Sequence, residues 1–205
     1  MMAKIEWLGH ATIRIKNGVT IYIDPWKLKE EAEKADLILI SHSHYDHLAP
    51  EDVAKITKPD TVIVAAEDCR AKLRGTVKTL KPGESLTEHG LPIKAVPAYN
   101  ASKRFHPKAN QWLGFLLTVG EETIYYAGDT DLIPEMEQLG KVATALLPVG
   151  GTYTMNPSEA AEAARRIKPR CCIPYHFGDI VGSKADAEQF KKLCPCPTKI
   201  LTPRK

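Results

Sequence analysis

The sequence has no long apolar run, no block of like charge and no framework of paired cysteines, and each absence excludes a class of protein. Apolar stretches are short, as in the four residues Leu37–Ile40, whereas a membrane-spanning helix needs about 18 or more. The net charge is only +3, with Lys and Arg spread along the chain, so nucleic acid is not the expected partner. Lys4 and Glu6 stand where a signal peptide would be apolar.

The five cysteines are odd in number and lack the spacing of a disulfide framework, as is typical of a reducing compartment. We therefore predict a cytoplasmic protein. Cys194-Pro195-Cys196 has no second pair to complete a zinc or redox motif, so we interpret it as structural. Cys171 and Cys172 lie on opposite faces of a predicted strand and are interpreted as small buried residues. Glycine-rich signatures for dinucleotides or nucleotide phosphates do not occur in the sequence.

The 205 residues are 43% hydrophobic and 26% charged, a composition typical of one globular domain spanning residues 1–205. Short strands and helices alternate in both halves, which predicts packed α and β layers with one sheet from each half. Helices are predicted over residues 28–34, 50–57, 66–74, 133–139 and 184–193, and from Pro157 to before Pro169. The long connection 98–111 has no periodicity, and loops of this length inside a domain usually carry function.

The segment Ser41-His42-Ser43-His44-Tyr45-Asp46-His47 follows a predicted buried strand. Positions two apart at a strand end point to one side, so His42 and His44 can share one ion. Asp46 and His47 then follow in the turn and can hold a second. Imidazole and carboxylate ligands suit Zn, Fe or Mn rather than Ca or Mg. The alternative is a solvated polar loop, but four ligand-type side chains in six positions cost stability unless they are used.

With these residues the chain resembles the metallo-β-lactamase superfamily, and within it the small hydrolases similar to L-ascorbate-6-phosphate lactonase. The resemblance covers nearly the whole chain. Besides the histidine-rich segment it depends on Trp7-Leu8-Gly9-His10-Ala11, Ile23-Asp24-Pro25, Ala127-Gly128-Asp129-Thr130, Leu147-Pro148-Val149-Gly150-Gly151 and Ile173-Pro174-Tyr175-His176. It implies a four-layer αββα sandwich, in which two mixed β-sheets lie face to face with helices outside.

The resemblance further implies a centre of two metal ions, zinc in the first place with manganese or iron as alternatives. Its ligands divide between the ions: His42 and His44 on the first, Asp46, His47 and His176 on the second, and Asp129 bridging both. Taken without the resemblance, Asp129 also fits a turn-forming residue beside Gly128, and His176 a satisfied histidine at a strand end.

One position departs from the family's pattern. Most relatives place a third histidine of the first ion after the strand that here ends at Pro97, where this chain has Asn100. Three alternatives stay open: Asn100 binds through its amide oxygen, His106 replaces the missing histidine, or the first site is weak and the enzyme uses one ion. His106 is also interpretable as a histidine of a surface loop.

Further candidates surround this set. His10 resembles a family position near the site and is a candidate catalytic residue with Asp46, or else a buried polar histidine. Asp24 is expected to hold a ligand imidazole by its free N–H. Tyr153 either lines the pocket or packs in its loop. Three cations of the long loop either contact an anionic substrate group or form a solvated face: Lys103, Arg104 and Lys108.

The function expected is a metal-dependent hydrolase that uses a metal-bound, bridging hydroxide on a small ester or lactone. Asp46 would orient that hydroxide while ligating. The first alternative is a phosphodiesterase acting on a small phosphodiester. A second, of another class, is a non-catalytic metal-binding or scaffold protein with a weakened first metal site. The expected partner is a small-molecule substrate, without a membrane.

Overall fold

The computed structural model describes residues 3–204 and arranges them around two six-stranded β-sheets. Within each sheet the strands lie in their order along the chain. The first sheet consists of β1 (Lys4–Gly9), β2 (Thr12–Lys16), β3 (Thr20–Ile23), β4 (Leu37–Ile40), β5 (Val62–Ala66) and β6 (Thr76–Leu80). The second consists of β7 (Ser85–Glu88), β8 (Leu91–Pro97), β9 (Leu113–Val119), β10 (Glu122–Tyr126), β11 (Thr144–Pro148) and β12 (Cys171–Tyr175). The prediction of one sheet from each half is confirmed.

Both sheets are mixed. The first begins with an antiparallel meander, in which Asn17-Gly18 turns β2 into β3 with Lys16 opposite Thr20, as that dipeptide predicts. From β3 to β6 its strands are parallel. The second sheet is antiparallel from β7 to β10 and parallel from β10 to β12. The parallel strands are largely apolar on both faces, which is typical of strands covered on both sides.

The two sheets pack face to face, and contacts between them converge near the catalytic candidates. The hydroxyl oxygen of Tyr126, at the end of β10, lies 3.1 Å from the Ala11 carbonyl oxygen in the turn between β1 and β2. The backbone N–H of Leu113 donates to the Ser41 carbonyl at 3.0 Å. The backbone N–H of His176 donates to the His10 carbonyl at 2.9 Å. These bonds fix the strand ends of one sheet relative to the other.

Three α-helices lie outside the sheets: α1 (Pro50–Ile56), α2 (Pro157–Ile167) and α3 (Lys184–Leu193). Helix α2 contacts β11, and α3 contacts β12. Asn156 caps α2 by accepting from the N–H groups of Ser158 and Glu159, while the Glu159 side chain accepts from the N–H of Asn156, as the sequence predicts. The architecture is therefore the predicted sandwich of two mixed sheets, with few helices.

Three helix predictions are wrong. Residues 28–34 form turns and irregular structure, and the segments near 66–74 and 133–139 contain only the 3₁₀ helices Glu67–Lys72 and Pro134–Gln138. Segments of about seven residues are too short to be helical without a packed face. In residues 28–34 the backbone bonds to other elements instead, since the Leu28 N–H donates to Asp52 and the Glu33 carbonyl accepts from Tyr22. Among residues 3–204, no helix has the length and apolarity to cross a bilayer.

Candidate metal centre

The candidate ligands meet at one edge of the sandwich, where strands of both sheets end. The segment 41–47 leaves β4, Asp129 follows β10, and His176 follows β12 directly. The long loop after β8 brings His106 to the same edge. Carboxyl ends of strands are where layered α/β folds present functional groups, so the topology itself assembles the cluster.

One group of donors consists of His42, His44 and His106, whose ligand atoms lie within 4.8 Å of one another. His42 Nε2 lies 3.1 Å from His44 Nδ1. His42 and His106 are each 1% exposed, whereas His44 is partly open to solvent. This group contains the two histidines assigned to the first ion, together with His106.

The second group consists of His10, Asp46, His47 and His176, again within 4.8 Å of one another. The Asp46 Oδ2 atom is 3.7 Å from His47 Nε2 and 3.8 Å from His176 Nε2. His10 is the member that the sequence did not assign as a ligand. The structure thus brings together the three residues assigned to the second ion.

Asp129 lies between the two groups. Its Oδ2 is 3.3 Å from Nε2 of His106 and 3.1 Å from Nε2 of His176, and its Oδ1 is 3.3 Å from Nε2 of His47. One carboxylate therefore faces donors of both groups, the position that a bridging ligand requires.

Four buried side-chain atoms of this cluster have no hydrogen-bond partner among the described residues: His10 Nδ1, His106 Nε2, Asp129 Oδ1 and His176 Nδ1. Buried polar groups are rarely left unsatisfied without a reason, and an ion is one such reason. The donor set of imidazole nitrogens and carboxylate oxygens suits Zn, Mn or Fe. The residues present therefore fit metal ions on either side of Asp129.

The electrostatics favour the protonation states that metal ligands need at His42 and Asp129. Burial lowers the pKa of His42 well below its ordinary value, which keeps that imidazole neutral. Burial would raise the pKa of Asp129, but the neighbouring His176 and His47 outweigh it and lower that pKa well below its ordinary value. A neutral imidazole and an ionised carboxylate can bind a cation without first losing a proton. At His47 burial lowers the pKa, but the charges of Asp129 and Asp24 raise it by more, to well above its ordinary value, so that ring must lose a proton when an ion binds.

Asp129 is placed by a close backbone approach at Gly128. Gly128 has φ +69°, and a Cβ there would lie 2.5 Å from the Leu113 carbonyl oxygen. Only glycine fits such a position without displacing the strand. Three other residues of the site also have positive φ, which is uncommon outside glycine and often marks functional sites. They are His10 (φ +47°), Asp24 (φ +47°) and His176 (φ +60°).

Asp24 holds the segment behind the histidines. Its Oδ2 accepts from His47 Nδ1 at 2.7 Å, from Tyr126 at 2.7 Å and from Ser41 Oγ at 2.5 Å. Ser41 Oγ in turn accepts from His42 Nδ1 at 2.9 Å. Both histidines therefore present Nε2 to the cluster. A carboxylate that binds the other ring nitrogen of a ligand histidine is expected to orient the ring in this way.

Asn100 lies behind His106 rather than among the donors. Its Oδ1 accepts from both the backbone N–H and Nδ1 of His106, each at 3.0 Å. Its Nδ2 donates to Asp131 Oδ1 at 3.0 Å and to the Tyr153 carbonyl at 2.9 Å. Both lone pairs of the amide oxygen are then used. Of the three alternatives, this geometry favours His106 as the donor and Asn100 as its support.

His10 contacts Asp46 directly, with Nε2 2.9 Å from Oδ2. Burial lowers the pKa of His10, so the neutral ring can donate its Nε2–H to the carboxylate. Burial would raise the pKa of Asp46, but the hydrogen bond with His10 outweighs it, and that pKa falls to about 2. The pair is a neutral donor facing an ionised acceptor.

The four candidate substrate residues differ in their partners and in their exposure to solvent. Lys103 pairs with Asp131, and Lys108 pairs with Glu135 at 2.8 Å, so both ammonium groups already have carboxylate partners. Arg104 is exposed. The ring of Tyr153 is half-buried and packs edge-on against Phe105, with centroids 4.7 Å apart.

Several supporting residues were not found by sequence reasoning. Trp112 packs against three imidazoles of the cluster, with ring centroids 4.7–5.5 Å from those of His42, His44 and His106. Its indole N–H donates to Asp68 Oδ2 at 2.7 Å. Ser41, Tyr126 and Asp131 were also missed. Ser41 adjoins the histidine motif and follows a buried strand, which was the only signal available; the others act across large sequence separations.

The sequence also matches a known protein family. The sequence profile described as the beta-lactamase superfamily domain matches residues 4–176. The chain is 37% identical to a UPF0173 metal-dependent hydrolase of Thermoplasma acidophilum, over 93% of this chain and 90% of that protein. It is 34% identical to a UPF0173 metal-dependent hydrolase of Pyrococcus abyssi, over 98% and 96% of the two chains.

Solved structures show the same architecture. A crystal structure of a candidate metal-dependent hydrolase from Parabacteroides distasonis superposes with a TM-score of 0.87 at 35% identity, covering 98% of this chain and 94% of that one. Igni18, a metallo hydrolase from Ignicoccus hospitalis, shares the fold with a TM-score of 0.80 at 24% identity, covering 99% and 96%. The chain therefore belongs to the metallo-β-lactamase superfamily, among its metal-dependent hydrolases.

Proposed function

We propose that this chain is a hydrolase that cleaves a small ester or lactone with the help of two metal ions. Zinc is the expected metal, with manganese or iron as alternatives. The observation that carries the proposal is the position of Asp129 between two groups of buried donors, 3.1–3.3 Å from nitrogens of His106, His176 and His47. A scaffold protein with a weakened first site would not need His106 fixed beside His42 and His44.

Bound ions would lower the pKa of a water molecule and polarise the carbonyl of the substrate. The protein's own part centres on Asp46, whose Oδ2 accepts from His10 Nε2. Its other oxygen is left to orient the attacking water, and Asp46 is ionised at neutral pH to do so. His10, 2% exposed, keeps water from reaching the rear of that carboxylate and fixes its orientation.

Exposed aromatic side chains adjoin the ligands. Tyr45, between His44 and Asp46, is 66% exposed, and Phe105, beside His106, is 40% exposed. Exposed large apolar side chains next to a site are typical of a binding surface. They favour a substrate with an apolar portion.

The charge of the loop supports an ester or lactone over a phosphodiester. A phosphate group is usually held by unpaired Arg or Lys side chains, whereas Lys103 and Lys108 are paired with Asp131 and Glu135. The likeness to L-ascorbate-6-phosphate lactonase stays a prediction. Of the three loop cations, the exposed Arg104 is the one that forms no ion pair with a described residue and is left for such a phosphate.

The test combines metal content with a substrate panel. Chelator-free protein is expected to contain at least two equivalents of Zn, Mn or Fe and to hydrolyse lactones or esters faster than phosphodiesters. Asp46→Ala should lose most of this activity, while the exposed Asp60→Ala serves as matched control. If the wild-type protein hydrolyses no substrate of the panel faster than Asp46→Ala does, the proposal is contradicted. Faster cleavage of phosphodiesters would support the alternative reaction.

The compartment remains a prediction. All five cysteines are free thiols, and none of the described pairs forms a disulfide. A reducing cytoplasm allows this state, which is why we retain the cytoplasmic assignment.

A further inference from the structure

Three cysteine side chains meet at a point remote from the histidine cluster. The Sγ of Cys196 lies 3.2 Å from that of Cys172 and 3.4 Å from that of Cys194. All three sulfurs lie within 4.8 Å of one another. Cys172 is the second residue of β12, whereas His176 follows its last residue, so about four residues or roughly 13 Å separate the two sites.

The chain builds this cluster by folding its C-terminal segment back along β12. Cys172 donates its backbone N–H to Pro197 at 2.8 Å and accepts from the N–H of Lys199 at 2.9 Å. Cys194 caps the end of α3, with its N–H on the Phe190 carbonyl. Backbone bonds on both sides therefore hold the three thiols together. The sequence prediction looked for a second cysteine pair beside residues 194–196 and missed Cys172.

The burial of the cluster suits an ion that enters from solvent. Cys172 is fully buried, whereas Cys194 and Cys196 are half-buried. Thiolates bind zinc at about 2.3 Å in a tetrahedral arrangement, which places ligand sulfurs about 3.8 Å apart. The observed contacts need to open by only about half an ångström, a shift that half-buried side chains can make.

We propose that Cys172, Cys194 and Cys196 form a second metal site, which binds a zinc-type thiophilic ion through three thiolates and leaves a fourth position to solvent. The contact between Cys172 and Cys194 lowers the pKa of Cys194 and raises that of Cys172, and burial raises the pKa of Cys196, so an ion has to displace thiol protons when it binds. Soft sulfur ligands select such ions over magnesium or calcium.

An ion at this site would fix the C-terminal segment. Beyond the cluster, the N–H of Arg204 donates to the Trp7 carbonyl at 2.8 Å, and the Trp7 indole donates to the His10 carbonyl at 2.8 Å. The segment thus connects the thiol cluster to β1 and to the backbone beside the histidine cluster. The role of the ion is structural, and it takes no part in hydrolysis.

Cobalt(II) titration of the reduced, metal-free full chain tests the proposal, because only thiolates give intense sulfur-to-metal charge-transfer absorption and the other centre has nitrogen and oxygen donors. Wild-type protein is expected to develop this band, with an amplitude at saturation that corresponds to one thiolate-bound cobalt per chain once the histidine cluster has also been filled. Added Zn(II) should abolish it.

The Cys194→Ser/Cys196→Ser double variant should lose the band and still take up cobalt at the histidine cluster. Cys171→Ser, which alters the neighbouring half-buried cysteine, is the matched control and should keep the band. If the double variant does not fold, the single variant Cys196→Ser takes its place. The affinity of its thiol cluster for cobalt should be at least tenfold lower than that of the wild type. A wild-type titration without the band, or a band that survives in the folded double variant, would overturn the proposal.

Discussion

The amide oxygen of Asn100 accepts two hydrogen bonds from His106, one from the backbone N–H and one from Nδ1, both at 3.0 Å. The second bond fixes the tautomer that leaves Nε2 of His106 without a proton. It also fixes the ring, since the backbone of the same residue is held by the same atom. In the proposed centre, Asn100 stands where the family resemblance implies a ligand and instead supports the candidate ligand His106, six residues later.

Asn100→Ala is expected to loosen His106 and weaken the first ion about 10- to 100-fold, as the loss of an outer-shell partner usually does. Metal content after dialysis against a weak chelator should fall by about one equivalent per chain relative to the wild type. Asn110→Ala, an exposed asparagine of the same loop, is the control. Unchanged metal content in Asn100→Ala, together with a loss in His106→Ala, would mean that Asn100 is dispensable.

Gly128→Ala is expected to destabilise the protein by about 2–4 kcal/mol and to displace Asp129. The new Cβ would meet the Leu113 carbonyl oxygen at 2.5 Å with φ +69°, so strain adds to the cost of a positive φ. Gly120→Ala is the matched control, with φ +62° and no atom within 4 Å of its Cβ; it should cost only about 1 kcal/mol. Urea unfolding of both variants measures the difference. Equal losses would show that the close approach is not the cause.

The buried carboxylate of Glu6 predicts a pH dependence of stability. Burial raises the pKa of Glu6, but hydrogen bonds and charge from Lys4 and Arg14 lower it by more, and the net shift is below the ordinary value of 4.5. The group therefore stabilises the fold above about pH 4.5, and this contribution is lost as the pH falls through the lowered pKa.

Glu6→Gln should reduce the free energy of unfolding by about 1–3 kcal/mol near pH 7, because Arg14 and Arg204 lose a charged partner. The difference from the wild type should shrink below about pH 4.5. Denaturant unfolding from pH 3 to pH 8 measures it. Glu31→Gln changes an exposed side chain, so its difference in unfolding free energy from the wild type should not vary with pH. If the difference between Glu6→Gln and the wild type grew as the pH fell, the direction assigned to the pKa shift of Glu6 would be wrong.

Tyr45→Ala and Phe105→Ala should each lower kcat/KM for an apolar ester several-fold and leave metal content unchanged, because these side chains adjoin the ligands without joining them. Loss of one aromatic contact of this kind costs about 1 kcal/mol of binding. Leu193→Ala is the control, since Leu193 is another exposed large apolar residue, 42% exposed on α3. An equal loss in the control, or an equal loss for a small polar ester, would contradict a binding role.

The sequence allowed the sheets and most of the site to be predicted because their signals are local. Short β-branched runs separated by turns are typical of strands, and their alternation with helices in each half predicted the two sheets that the structure has. The candidate ligands follow strands, so that locating a strand end also located the donor. For His42, His44, Asp46 and His47, spacing within one segment carried the inference.

What the sequence did not give depends on long-range contact. Residues 28–34 have helix-forming side chains, yet their backbone bonds to Asp52 and Tyr22, which local propensity cannot anticipate. The choice between Asn100 and His106 required the direction of two side chains. Lys103 was expected either to contact an anionic substrate group or to lie on a solvated loop face, but Asp131, 28 residues later, holds it.

The order of strands within each sheet has a consequence for folding. Every strand pairs with its neighbour in the chain, so each sheet can form by successive local closures, which is kinetically favourable. The metal ligands, by contrast, come from both sheets. We therefore expect high-affinity metal uptake during refolding to report the docking of two preformed halves, later than the gain of β-structure.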